Sequence, residues 1–150
     1  MKPGKVRPLA LAIIRHNGRI LVAEGYDSVK GGYFYRPLGG GIDFGETGAE
    51  TVVRELREEI GAELRDPRYL GTLENLFTYE GRRGHEIIML YEATLADPAF
   101  YDQDTMESHE DDGTAFTAVW KPLADFGPGR PPLYPDGLLE LLSGGAEAGG

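Results

Sequence analysis

Residues 40–62, GGIDFGETGAETVVRELREEIGA, constrain this chain more than any other part of it. Three glycines, Gly39 to Gly41, run into a segment dense in glutamate. Thr47 followed three residues later by Glu50 is a capping box, so a helix is predicted to start there. Val52, Val53, Leu56 and Ile60 recur at helical spacing and make one apolar stripe, and Gly61 is a natural stop signal. Glu55, Glu58 and Glu59 stand three or four residues apart and cluster on another side of that helix. Like charges at this spacing repel and weaken an isolated helix, and a bound cation reverses that penalty. Oxygen donors with no His or Cys beside them point to Mg²⁺ or Mn²⁺ rather than zinc. A solvated face laced with ion pairs accounts for Glu50–Arg54 and Arg54–Glu58. It leaves the glycines unexplained, whose freedom of dihedral permits close backbone approach to a ligand.

The stretch resembles the Nudix box, the signature of the Nudix hydrolases. That pattern is Gly, five residues, Glu, seven residues, Arg-Glu, an aliphatic residue, any residue, Glu-Glu, any residue, Gly and an aliphatic residue. Gly40, Glu46, Arg54, Glu55, Leu56, Glu58, Glu59 and Gly61 match it, and Ala62 takes the last place, where a larger aliphatic residue is usual. Family members often carry Pro directly before the Gly-Gly pair; here Leu38 holds that place and Pro37 precedes it. The resemblance implies a MutT-like, metal-dependent pyrophosphohydrolase that cleaves a nucleoside diphosphate linked to another moiety, X, by water attack on phosphorus. It implies that Glu55 and Glu59 are the main ligands of Mg²⁺ or Mn²⁺, with Glu58 a further ligand or the general base. Gly39 would lend its carbonyl to the metal, Arg54 would orient the glutamates, and Glu46 would support the loop-to-helix turn.

Composition is compatible with such an enzyme. At 150 residues the chain is long enough for one domain with a real core. Its net charge of -10, from 25 acids against 15 bases, argues against nonspecific binding to nucleic acid or anionic membranes. A small-molecule nucleotide is the expected partner, and metal counterions relieve the repulsion between its phosphates and the carboxylates. There is no cysteine, which fits a reducing cytoplasm. The apolar run from Leu9 to Ile14 is too short for a signal-peptide core and is closed by Arg15, so it reads as a strand. A homodimer fits the habit of the family.

Strand and turn patterns organise the rest. Residues 9–14 and 20–23 read as strands around a turn at His16-Asn17-Gly18-Arg19. Residues 24–32 form a loop, and Tyr33 to Tyr35 start another strand. Residues 69–79 and 86–96 read as a hairpin around Gly81-Arg82-Arg83-Gly84, residues 97–112 as an acidic loop, and residues 115–120 as a last strand. Residues 127–132 are a stiff Gly/Pro connection, and residues 138–142 a short helix. The expected fold class is α/β, a Nudix-type α/β/α sandwich with a central mixed β-sheet. One domain is expected over residues 1–143, with residues 144–150 a disordered tail.

Outside the box, Arg36 is near enough in sequence to reach a substrate phosphate. Glu110 is the favoured loop carboxylate for an extra ligand or general base, ahead of Glu107, and Glu86 would face the site from a strand. Tyr and Phe side chains between Tyr26 and Tyr79 include candidates for stacking on a base. The competing class is a catalytically silent Nudix-fold nucleotide-binding module. Such modules commonly lose box glutamates, and this chain keeps all of them.

Overall fold

A computed structural model describes residues 4–110 and 113–148. In chain order the strands are β1 (Val6–Ile13), β2 (Arg15–His16), β3 (Arg19–Asp27), β4 (Gly32–Pro37) and β5 (Gly39–Gly41), followed by helix α1 (Gly48–Ile60). Then come β6 (Leu64–Tyr79), β7 (Arg82–Leu95), β8 (Thr105–His109), β9 (Ala115–Pro122) and helix α2 (Leu138–Ala148). The α/β architecture with a mixed sheet matches expectation, but the strands divide into two sheets. One is ordered β5-β1-β7-β6, with β1 and β7 parallel. The other is β2-β3-β9-β8, and β4 follows β2 along the same edge of β3.

Strand β1 is the core of the molecule. Leu9 to Ile13 are all essentially inaccessible, which is why this strand reads as a continuous apolar run rather than an alternating one. Alternation survives in what each side chain meets. Ala10 and Ala12 lie in the cluster formed with α1, where their small size lets the helix approach the sheet. Leu9, Leu11 and Ile13 point into the second cluster, which takes in Leu138 and Leu142 of α2. Helix α1 forms as its sequence dictates. Thr47 and Glu50 exchange the two capping bonds, Val52 and Leu56 are fully buried, and Gly61 ends the helix at φ 70°.

Several boundaries differ from the sequence reading. The hairpin between β6 and β7 turns on Glu80 and Gly81, not on residues 81–84. Both turn residues have positive φ, 52° and 77°, which matches the twist of the flanking strands. The loop expected at residues 24–32 shrinks to a tip, because β3 continues to Asp27 and β4 starts at Gly32. The acidic stretch 97–112 is not simply a loop. It holds a 3-10 turn (Pro98–Asp102) and β8, in which Met106 and Ser108 are buried while Glu107 and His109 are exposed. That alternation is a strand signal hidden among acids; Asp111 and Asp112 lie outside the described residues. Helix α2 runs to Ala148, so residues 144–148 of the expected tail are helical, while residues 149–150 lie outside the description. No helix among the described residues is long and apolar enough to cross a membrane.

Candidate active site

The glycine triplet is a strand, and that decides how the glutamates are held. Gly41, Gly40 and Gly39 pair with Leu9, Ala10 and Leu11 of β1. A Cβ on Gly40 would stand 2.6 Å from the Glu55 carboxylate carbon, so no side chain larger than hydrogen fits beneath that carboxylate. Gly39 donates its backbone N–H to Glu59 Oε1 at 3.1 Å. Glu55 and Glu59 are 3% and 5% exposed, so two carboxylates are buried side by side on one helix against bare backbone. From the other side, the Ser108 hydroxyl of β8 donates to the Glu59 carbonyl oxygen.

Arg54 organises the neighbouring charges. Its guanidinium donates to Glu46 through Nε at 2.8 Å and Nη2 at 2.9 Å, a bidentate pair. It also donates to Glu55 at 3.0 Å, to Glu58 at 3.2 Å and to the Gly41 carbonyl at 3.1 Å. Asp43 stands 3.4 Å away. One cation thus faces Asp43, Glu46, Glu55 and Glu58, and Glu59 adds a further charge nearby. The bond to Glu46 raises the Arg54 pKa further above its already high value, against the opposing effect of burial. In return Arg54, helped by the Thr51 hydroxyl, holds Glu46 down at a pKa of about 2.

A sequence model of the NUDIX domain matches residues 5–138. The chain is a Nudix hydrolase. An RNA pyrophosphohydrolase of Hydrogenovibrio crunogenus is 28% identical over 114 residues, spanning 68% of this chain and 69% of that protein. The E. coli ORF135 protein superposes with a TM-score of 0.63 at 26% identity, covering 96% of this chain and 93% of the other. A MutT NUDIX hydrolase from Burkholderia pseudomallei shares the fold, with a TM-score of 0.56 at 22% identity over 84% and 90% of the two chains.

The expected glutamate trio of this Nudix hydrolase is split. Glu55 and Glu59 turn inward to the glycines, whereas Glu58 is exposed and bonded to Arg54. Among the described residues, no three acidic, His or Cys side chains converge as a ready metal-binding group. The physical reason is helix geometry: positions 55 and 59 lie one above the other, and position 58 is rotated towards solvent. The donor set still fits a divalent cation. Two buried carboxylates are hard ligands of the kind Mg²⁺ or Mn²⁺ takes, and the carboxylates outnumber the single guanidinium.

The candidates outside the box fall into two places. Glu110 is exposed just past β8, and its N–H donates to the Thr114 carbonyl at 2.8 Å. It stands two residues beyond Ser108, which ties β8 to α1. Arg36 on β4 meets Glu86 of β7, with 3.6 Å between Nη2 and Oε1, rather than the α1 carboxylates. Sequence reasoning missed Asn75, which pairs with Glu86 across β6 and β7 and is buried with it. The available signal was the period-two series Asn75, Phe77, Tyr79, in which one polar residue shares a face with two aromatics.

The Arg54–Glu46 pair predicts an acid-sensitive contribution to stability. Glu46 is depressed from 4.5 to about 2 on folding, so its contribution is fully present above pH 4.5. It is lost as the pH falls from 4.5 towards 2. The melting temperature of wild type should therefore exceed that of Glu46→Gln at pH 6, and the gap should close through that window. A gap independent of pH down to 2.5 would mean the carboxylate is not held by Arg54 in solution.

Proposed function

We propose that this Nudix hydrolase is a divalent-cation-dependent pyrophosphohydrolase that cleaves a nucleoside diphosphate linked to a moiety X by water attack on phosphorus. The observation that carries this reading is the burial of Glu55 and Glu59 against Gly39 and Gly40. Burying two like charges is unfavourable without a cation, and glycine at positions 39 and 40 is what lets the two carboxylates lie against bare backbone. Glu55 and Glu59, with the Gly39 carbonyl, are the residues that would hold Mg²⁺ or Mn²⁺. When bound, such an ion offsets the charge of a diphosphate and lowers the pKa of water.

The chain's own residues supply the rest. Arg54 holds Glu55 and Glu58 in fixed rotamers, and Glu46 locks Arg54 to the start of the helix. Glu58, exposed and hydrogen-bonded by Arg54, is the general base in this reading, because a base has to return its proton to solvent. Glu110 is the second candidate for that role. Arg36, which stands 3.6 Å from Glu86, would bind a substrate phosphate in this reading.

The test is product release from a panel of nucleoside triphosphates, nucleotide sugars, ADP-ribose, dinucleoside polyphosphates and a 5′-triphosphorylated RNA. The RNA is included because the H. crunogenus relative is an RNA pyrophosphohydrolase. Cleavage of one group with Mg²⁺ or Mn²⁺, abolished by chelator, is the expected result. Undiminished cleavage in chelator would defeat the cation-dependent reading. Binding without cleavage across the panel would favour a silent nucleotide-binding module.

A further inference from the structure

An open cavity of about 550 Å³ lies where β1 begins beside the β6–β7 hairpin, and Lys5, Val6, Leu76, Phe77, Arg83 and His85 line it. Val6, His85 and Leu76 stand in one row across the three strands. Val6 and Leu76 are 54% and 58% exposed, so apolar surface is left open there. Lys5 and Arg83, with Arg7 and Arg82 next to them in sequence, make no ion pair among the described residues. The acids of this region are already engaged: Glu74 with His85, Glu80 with Ser28 and Glu86 with Arg36. The chain as a whole carries a net charge of -10, yet this end of the sheet carries free positive charge. At physiological salt the local sign decides what binds, because charges beyond about 8 Å are largely screened.

The cations lead from the cavity to the glycine strand. Lys5 stands four residues before Leu9, which pairs with Gly41. At about 3.3 Å per residue that is a separation of about 13 Å. Arg7 lies midway along β1, and its guanidinium rests against the glycine strand: a Cβ on Gly41 would stand 3.2 Å from Nη2. One residue further, Gly40 lies against the Glu55 carboxylate. Cavity, Arg7 and the buried carboxylates therefore follow one another along β1 and β5. A separation of about 13 Å is covered by about four nucleotides of a strand at a rise of roughly 3.4 Å each.

We propose that this cavity and Arg7 hold the phosphodiester backbone of a single-stranded oligonucleotide whose 5′ phosphates lie at the glycine strand. Cations spaced along β1 match a charge that repeats along the ligand. A mononucleotide has no phosphate left to place in the cavity once its 5′ phosphates are at the glycines. Val6, Leu76 and Phe77 offer a base or ribose an apolar surface beside those cations, the combination that single-strand sites use. The negative charge of the rest of the chain keeps affinity for internal strand segments low, so binding depends on the 5′ end. The inference rests on the proposed hydrolase reading for the position of the 5′ phosphates, but strand binding itself needs no turnover.

The test is binding of ATP and of 5′-triphosphorylated oligoadenylates of two, four and eight nucleotides to the full chain, by calorimetry, with Ca²⁺ in place of Mg²⁺. Affinity should rise roughly tenfold from ATP to the four-nucleotide strand and level off by eight, once the cavity is reached. Lys5→Gln and Arg83→Gln should each weaken the four-nucleotide strand roughly three- to tenfold and leave ATP binding and the melting temperature unchanged. Each should also make the salt dependence of log K for that strand shallower by about 0.7, the share of one phosphate contact on a single strand. A length-dependent gain that responds to Lys5 and Arg83, with no cleavage of any strand in Mg²⁺, supports the strand site while the hydrolase reading fails. Metal-dependent cleavage of ATP with equal affinity for ATP and all three strands overturns the strand site and leaves the hydrolase reading standing. A length-dependent gain that neither variant reduces overturns the inference too, by placing the strand elsewhere.

Discussion

Glu59→Gln should lower kcat by roughly 10²–10³-fold at saturating Mg²⁺, the loss typical of deleting one charged group that stabilises a transition state. The substitution is sterically silent. Glutamine keeps an oxygen for the Gly39 N–H, and the Ser108 bond goes to the backbone carbonyl of residue 59, which does not change. What disappears is one negative charge that is 5% exposed and directed at the glycine strand. Stability should hold or rise, because burying an amide is easier than burying a carboxylate. Steady-state kinetics across a Mg²⁺ titration, with a melting curve, make the comparison. Wild-type turnover at saturating Mg²⁺ would remove Glu59 from the cation-binding set, and a collapsed melting temperature would recast its role as structural.

Gly39→Ala is the second large effect, and it acts on the fold as well as on the chemistry. Gly39 sits at φ 149°, and a Cβ there would stand 2.2 Å from the Ala10 carbonyl oxygen and 2.8 Å from the Leu11 Cα. Both are backbone atoms of β1, the strand packed on each face, so neither can swing aside as a side chain would. Dihedral strain of about 1–3 kcal/mol and overpacking of about 1–3 kcal/mol add up to a large share of a typical 5–15 kcal/mol stability. Displacement of β5 also takes the Gly39 N–H away from Glu59, so activity should fall with stability. Gly45→Ala is the control. It has φ 85° but meets nothing within 4 Å, so only the dihedral term remains, about 1–2 kcal/mol. Urea midpoints of the two variants separate the terms, and equal losses would show that contact with β1 is not what requires glycine at position 39.

The candidate site was legible wherever its signal was local. The capping box of Thr47 and Glu50, the apolar stripe through Val52 and Leu56 and the left-handed stop at Gly61 all act within about one helical turn. A pattern along the chain reports such contacts directly. The same holds for Arg54, which reaches Glu58 four residues on, and for the buried run of β1. The box also placed the carboxylates on one helix. It did not say which of them would turn inward, because position 58 becomes a solvent position only once β5 covers positions 55 and 59.

The β6–β7 hairpin and β8 show the limit at short range. Gly84 looks like a turn residue but is buried within β7, because the positive φ of Glu80 and Gly81 closes the hairpin first. The Met106 and Ser108 alternation in β8 is drowned by the acids around it.

By itself, then, the sequence determined a capped amphipathic helix, its carboxylate spacing, the hairpin-rich α/β class and the Nudix family. Only the tertiary structure decided that Gly39 to Gly41 form a strand on β1, that Glu58 faces solvent, and that Asn75 and Glu86 are buried together beside Arg36. Helix caps and stripes join residues a few positions apart, so the chain spells them out. Strand pairing joins distant residues through backbone alone, and glycine, with no side chain to pattern, leaves no mark of the strand it will meet.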